Sequence, residues 1–368
     1  MEIALIGFPQ SGKTTLLNAL TRGRAEAGVY GGARQEVHAG VVRVPDPRLH
    51  TLTQIFVPDK VVPVEIKYWD VPAGSGIAAG NGAGISGQFL NLLQGADALL
   101  HVVHTFDDPS VPHVSGSVDP HRDVANMNAE LAFSDLTILE RRVRRIETDL
   151  KGARGHERDV LLKEGSLLQR LKEGLESDVP VREQELLPEE MNLLSSYQLL
   201  TAKPVLIAFN IDEAALPRAA DLGGELAGPW VKKPGVMATT LCNKLEMELS
   251  QLSPEDERQF RESMGLQESG LDRLVRLSCD LLSLVSFFTY VSKEVRAWTV
   301  PADTPAVKAA GRIHSDMERG FIRAEVIAFT DLARCGSVAQ CRREGLLRLE
   351  GKTYPVKDGD VITFLFNV

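Results

Sequence analysis

The chain is predicted to be an α/β protein: a mostly parallel sheet with helices on both faces, a helical-hairpin insert, and a small β-rich domain at the C-terminus. Three observations predict this. A phosphate-binding-loop pattern near the N-terminus sits between an apolar run and a helix-like run. Apolar strand-like segments then alternate with helical stretches. Finally, one long segment turns to helical periodicity, and the last eighty or so residues turn to strand-like alternation. At 368 residues two or three domains are expected. The boundaries are placed at 1–125 with 198–285 for the sheet domain, 126–197 for the insert and 286–368 for the terminal domain.

The first element is the apolar run Ile3-Ala4-Leu5-Ile6, a buried strand. It leads into Gly7-Phe8-Pro9-Gln10-Ser11-Gly12-Lys13-Thr14, the G-x-x-x-x-G-K-[ST] pattern, and then into the helical Thr15–Leu20 run. Glycines let the backbone bend until several N–H groups face one concavity, and the helix N-terminus adds positive potential there. Gly7, Gln10, Ser11, Gly12, Lys13, Thr14 and Thr15 are therefore the candidate phosphate-binding residues. Lys13 would neutralise the β- and γ-phosphates, and the Thr14 hydroxyl would ligate Mg²⁺.

Further strands are expected at Val41–Val44, Val64–Trp69, Ala98–Val103 and Val205–Phe209. Asp70 ends the second of these, where a phosphate-loop enzyme keeps a carboxylate for Mg²⁺. The following Gly74 arrives one residue later than in the usual Asp-x-x-Gly, and Pro72 has no N–H to offer. Gly74 is the candidate γ-phosphate sensor. From Gly74 to Gly87 six of fourteen residues are glycine. Such a stretch is costly to order, so it reads either as a switch loop that orders around the phosphate or as a plain connector. His101 and His104 fall on or beside a core strand and read as structural.

Base recognition is expected after Val205–Phe209, at Asn210-Ile211-Asp212-Glu213. A guanine reader carries Asn-Lys-x-Asp. Here the carboxylate is one methylene longer, which leaves guanine's donors poorly paired, at a cost of about 1–3 kcal/mol. Asn210 can still bond either purine, so adenine becomes acceptable, with Asn210 and Glu213 as the base-reading pair.

In the insert, Leu136, Leu139, Val143, Ile146 and Leu150 recur at three- and four-residue steps, and Leu161, Leu162, Leu167, Leu168 and Leu171 repeat the pattern. Gly152–Gly155 reads as the turn of an antiparallel hairpin. The Arg141-Arg142-Val143-Arg144-Arg145 run reads either as an RNA contact or, in better accord with the equal number of nearby acids, as a solvated face. In the last domain Ile322–Val326 alternates as a half-buried strand, Leu347–Tyr354 reads as a tight hairpin, and Asp358-Gly359 turns into a final strand, Val361–Phe366.

Bulk composition bounds the rest. Hydrophobic content of 43% is enough for real cores, and a net charge of −9 excludes a general polycation while allowing a local RNA-binding face. Four cysteines show no metal-site spacing and fit a reduced, cytoplasmic chain. The chain starts directly with a strand and has no apolar run near the ~18 residues that span a bilayer, so neither a leader nor a membrane partner is expected.

Taken together, these motifs resemble the YchF family of Obg-like ATPases over nearly the whole chain. Besides the phosphate loop, the resemblance rests on Val41-Val42-Arg43-Val44-Pro45-Asp46-Pro47-Arg48-Leu49, on Gly82 to Leu90, on Leu199 to Val205 with Glu213, and on Gly311 to Asp316, Gly320 to Val326 and Asp358 to Val361. It implies an ATPase that uses GTP less well, a terminal TGS β-grasp domain, and association with the ribosome or its RNA, with no DNA partner. It also implies that His113, in His113-Val114-Ser115-Gly116, is the catalytic histidine. The residues alone allow that role or an ordinary surface histidine, exposed in either case. Three positions depart from the family: Arg34 stands where its first switch has threonine, Gln10 replaces an asparagine tied to potassium, and Ala73-Gly74 shifts the sensing glycine. The function expected is thus a slow Mg²⁺-dependent ATPase acting as a nucleotide-gated switch in translation. A nucleotide-binding adaptor that scarcely hydrolyses is the other reading.

Overall fold

The first apolar run lies deep in a sheet. In a computed structural model that describes residues 1–28, 37–72, 85, 87–266 and 268–367, the strands in chain order are β1 (Glu2–Ile6), β2 (Glu26–Gly28), β3 (Val37–Arg43), β4 (Lys60–Val62), β5 (Glu65–Asp70), β6 (Ala98–His104), β7 (Val205–Asn210), β8 (Val236–Leu241), β9 (Leu284–Val291), β10 (Glu294–Pro301), β11 (Phe321–Ala328), β12 (Arg348–Glu350) and β13 (Asp360–Phe366). Arg34, Ala73, Gly74 and most of the glycine-rich stretch lie outside the described residues.

The chain divides into two compact units, 1–42 with 67–277 and 43–66 with 278–368. In the first, the sheet order is β2-β3-β5-β1-β6-β7-β8. β5, β1, β6, β7 and β8 run parallel, and β2 pairs antiparallel with β3. β6 and β7 are buried along their whole length, as continuous apolar runs covered on both faces must be. The parallel arrangement brings the C-terminal ends of β1, β5, β6, β7 and β8 to one edge, where ligands of such sheets bind.

The insert is the expected antiparallel pair, α-helices Pro120–Asp149 and Gly155–Glu176. The first starts six residues before the expected 126, because Asp119 caps it through Arg122 N–H and Pro120 takes its first turn. Leu139, Ile146, Leu167, Leu168 and Leu171 form the seam, whereas Leu162 turns outward. Three of the four arginines in the basic run pair within the hairpin. Arg142 forks onto Glu164 at 2.8 Å through both Nε and Nη2, and Arg144 and Arg145 pair with Glu140 and Asp149. This favours the solvated-face reading.

The second unit carries a sheet of order β12-β11-β13-β9-β10-β4. Its first long strand, β9, and its last, β13, run parallel at the centre, and the helix Ala306–Ile313 packs Ala306, Ala309 and Ala310 onto the sheet: a β-grasp. Two expectations are corrected. Leu347–Tyr354 is not a hairpin, because β12 pairs back to β11, while Tyr354 turns in to donate its hydroxyl to Asp360. And residues 43–66, assigned from sequence to the sheet domain, cluster with 278–368. Leu49 and Leu52 of the helix Pro47–Phe56 share a core with Phe288 and Ile327. Burial of those apolar faces outweighs sequence proximity.

Candidate nucleotide site

The loop after β1 is shaped by residues that few substitutions would tolerate. Gly7 sits at φ 152, and a Cβ there would meet Val102 O at 2.4 Å. Gly12, at φ 97, heads the helix Lys13–Leu20, and a Cβ there would meet Asn210 Nδ2 at 2.5 Å. Gln10 adopts a left-handed φ of 63 with a full side chain, an uncommon state for a residue other than glycine, asparagine or aspartate.

Lys13 is 6% exposed, and its ammonium donates to Gly7 O at 2.7 Å and Phe8 O at 3.1 Å. Burial pulls it down to about 8, against the opposing pull of Asp70. The cation therefore satisfies itself on loop carbonyls and would gain from a phosphate. Thr14 Oγ1 donates to Asp70 Oδ2 at 2.6 Å, while Asp70 Oδ1 is buried with no partner. Burial raises the Asp70 carboxyl above the ordinary carboxylate range. A hydroxyl in the first turn of the helix Lys13–Leu20 and a carboxylate at the end of β5, one oxygen left over, fit a hard divalent cation, so Thr14 and Asp70 would hold Mg²⁺ with the phosphates.

A cavity of about 870 Å³ opens from this loop. Gln10 to Thr15 and Asp70 line it on one side, Phe106 to Pro109 on another, and Asn210 to Ala214 with Asn243 and Lys244 on a third. Of the sequence-predicted residues, Gln10 to Thr15, Asp70, Asn210 and Glu213 line it and Gly7 does not, with three further qualifications. Glu213 lies at the wall, but its carboxylate is 46% exposed and paired with Lys244 at 3.4 Å. Asn210 spends both ends of its amide on the protein. Its Nδ2 donates to Ser11 O at 3.0 Å, and its Oδ1 accepts from Asn243 N at 3.0 Å. His113 is not exposed as expected. Its side chain is 3% exposed and docked on Asp123, and it does not line the cavity. The docking surface exists because Asp123 lies in the first turn of the insert's first helix, which no local pattern around His113 announces. His101 and His104 are buried on β6 as expected, and burial lowers His101 to about 3.

Asn243, just past β8, was missed. It is 1% exposed, its Nδ2 donates to Gly12 O at 3.2 Å, and it stands at the same sheet edge as Asn210. The available signal was an asparagine ending the next strand-like run, Val236–Leu241.

Residues 2–139 match the family model described as 50S ribosome-binding GTPase, and residues 284–367 match the YchF-type GTPase C-terminal model, described as a protein of unknown function. The chain is 40% identical over 370 residues to "Ribosome-binding ATPase YchF" of Bacillus subtilis, covering 100% of both chains. The chain belongs to the YchF family. The family likeness extends to "Obg-like ATPase 1" of Caenorhabditis elegans, 35% identical over 100% of this chain and 92% of that one. It also extends to the solved YchF GTPase of Schizosaccharomyces pombe, 27% identical with a TM-score of 0.83 over 99% of this chain and 97% of that one. The names of YchF relatives differ on the base: ATPase for some, GTPase for another.

Proposed function

We propose that this chain is a cytoplasmic, Mg²⁺-dependent ATPase that binds ATP in preference to GTP, turns over slowly, and acts on the ribosome as a nucleotide-gated regulator. The observation that carries the reading is the buried Lys13 ammonium on loop carbonyls beside the Thr14–Asp70 pair. Such a cradle takes a polyphosphate and the cation that neutralises it. Ribosome association is supported by the names of full-length relatives. Lys13 would move from Gly7 O to the β- and γ-oxygens, and Thr14 and Asp70 would part to hold Mg²⁺, which supplies charge neutralisation at the leaving oxygens. His113, once released from Asp123, would orient the attacking water.

Calorimetric titration with ATP, GTP and their diphosphates, with and without Mg²⁺, tests this. Tighter ATP than GTP binding, lost in Lys13→Ala, is expected; binding unaffected by that substitution would sink it. The adaptor reading draws on one observation, the burial of His113 away from the cavity. It predicts binding with turnover no faster than in His113→Ala.

A further inference from the structure

We propose that Cys335 and Cys341 form a reversible thiol–disulfide site: a small-molecule disulfide oxidises them to an intramolecular disulfide that joins the helices Phe329–Cys335 and Val338–Arg343 of the second unit.

The geometry is reciprocal. Cys335 ends the first helix, Gly336 turns the chain at a left-handed φ of 70, and Ser337 caps the second helix by accepting from Gln340 N–H. Cys341 Sγ donates to Asp331 O at 3.8 Å, the carbonyl one helical turn before Cys335. Cys335 Sγ donates to Glu344 Oε2 at 3.6 Å, and Glu344 stands three residues after Cys341, on the side of the helix that Cys341 shares. Each sulfur thus lies against the other cysteine's helix, one turn from the other thiol, and the two thiols are in hydrogen-bond contact. A disulfide needs them to close to about 2 Å, a movement on the scale of side chains. Cys341 is fixed in the core with Ile327, Leu332 and Val361, whereas Cys335 packs at the margin of that core and is only partly buried. The other two cysteines stand elsewhere, Cys242 at the nucleotide cavity and Cys279 on the helix Gly270–Leu281.

The order of events follows from burial. Burial, with Cys335 beside it, pushes the Cys341 thiol up to about 11, so Cys341 stays protonated near neutrality. Cys335, the accessible one, attacks first. Its proton passes to solvent, its thiolate displaces one half of the small disulfide RSSR as a thiolate that takes up a proton, and a mixed disulfide forms on Cys335. Cys341 then attacks the Cys335 sulfur, and its proton leaves with the second RSH. The protein dithiol loses two electrons and RSSR gains them, giving the protein disulfide and two RSH; excess RSH runs the exchange backwards. Because the second thiol is already in contact, the second step is intramolecular and outruns accumulation of the mixed adduct. Glu344 loses the Cys335 donor on closure and keeps Arg334 and Gln340.

Glutathione disulfide is the probe. Arg334 and Arg342 place both cysteines on one tryptic peptide, residues 335–342. The full chain is equilibrated in glutathione buffers from reduced to oxidised, quenched in acid, alkylated under denaturing conditions and digested for mass spectrometry. The doubly alkylated peptide should give way to an unalkylated one lighter by two hydrogens, at ratios where the Cys242 and Cys279 peptides remain alkylated, and dithiothreitol should restore it. The oxidised chain should melt several degrees higher than the reduced one, and Cys335→Ser, which alters the less buried partner, should abolish that rise while melting like the reduced wild type. If Cys335→Ser does not fold, the wild-type peptide decides alone. A peptide that keeps two alkyl groups in the most oxidised buffer, that ends as a stable glutathione adduct on Cys335, or that is found linked between two chains overturns the proposal.

Discussion

His113 Nε2 lies 2.6 Å from Asp123 Oδ2, and the two side chains are 3% and 2% exposed. Ser115 N–H donates to His113 Nδ1 at 3.0 Å, so the ring's proton sits on Nε2 and is donated to the carboxylate. Arg122 holds the other carboxylate oxygen through Nε and Nη2 at 3.1 and 2.9 Å and also reaches Ser117. The segment after β6, whose Phe106 to Pro109 line the cavity, is thus latched to the first turn of the insert.

Releasing the latch should raise turnover if His113 acts on water. A buried charge-assisted hydrogen bond contributes about 1.5–3 kcal/mol. Asp123→Asn weakens it without opening a hole, so a several-fold higher kcat with KM nearly unchanged is expected. His113→Ala should lower kcat. Both are read from steady-state phosphate release, and a lower kcat in Asp123→Asn would show the docked histidine to be the working one.

Nucleotide binding should take up a proton above neutrality. Burial holds Lys13 at about 8 in the folded chain against 10.5 for a free lysine. The folded state therefore binds that proton less tightly than the unfolded one, and Lys13's contribution to stability improves as pH rises from 8 towards 10.5. A bound polyphosphate favours the cation and reverses the shift. Calorimetry at pH 8.5 in buffers of different ionisation enthalpy should show about three-quarters of a proton taken up per nucleotide, falling towards zero at pH 6.5. Equal values at both pH would contradict the buried ammonium.

Asp135 joins the insert to the sheet unit. It is fully buried, its Oδ1 accepts from Leu200 N at 2.8 Å, and its Oδ2 accepts from Thr201 N and Oγ1 at 2.7 and 2.6 Å. Burial pushes the carboxyl up to about 6 despite these donors. A raised folded value means that this group favours folding most below pH 4 and loses that advantage as pH rises through 6. Asp135→Asn turns a donor towards a main-chain N–H and should cost about 1–3 kcal/mol, seen as a lower melting temperature and faster amide exchange in residues 181–202. An unchanged exchange pattern would show that the contact is dispensable.

The sheet unit was legible because its signals are local: a glycine pattern between a strand and a helix, continuous apolar strands, and leucines at helical steps. The phosphate end of the site was legible for the same reason, since Gly7, Gly12, Lys13 and Thr14 occupy one loop. What escaped was assembled across distance. Asn243 is hydrogen-bonded to Gly12 and Asn210, 231 and 33 residues away. His113 was expected to be exposed because Asp123 reaches it only once the insert's helix is in place. Short edge strands such as β4 and β12 carry almost no periodic signal and exist through their partners.

The Val-Pro-Asp-Pro-Arg-Leu segment, read from sequence as a family signature, has a structural task in the second unit. Asp46 caps the helix Pro47–Phe56 by accepting from Arg48 N–H at 2.9 Å, and the Arg48 guanidinium bridges Asp46 at 2.8 Å and Asp358 at 2.7 Å. Asp358 in turn accepts from Ser286 N–H at 2.9 Å, so the bridge ties residues 46–48 to the turn before β13 and to β9. The guanidinium also lies 5.0 Å from the centroid of the Phe288 ring. Arg48→Lys keeps the charge but not the two-pronged geometry, and Arg48→Met keeps only the stem. The expected losses are about 1 kcal/mol and about 2–3 kcal/mol respectively, because two carboxylates are left facing each other. Amide exchange should speed up in β9, β13 and the 47–56 helix, while ATP titration stays at the wild-type value. Equal losses in both variants would mean that stacking on Phe288, rather than the paired carboxylates, holds the segment.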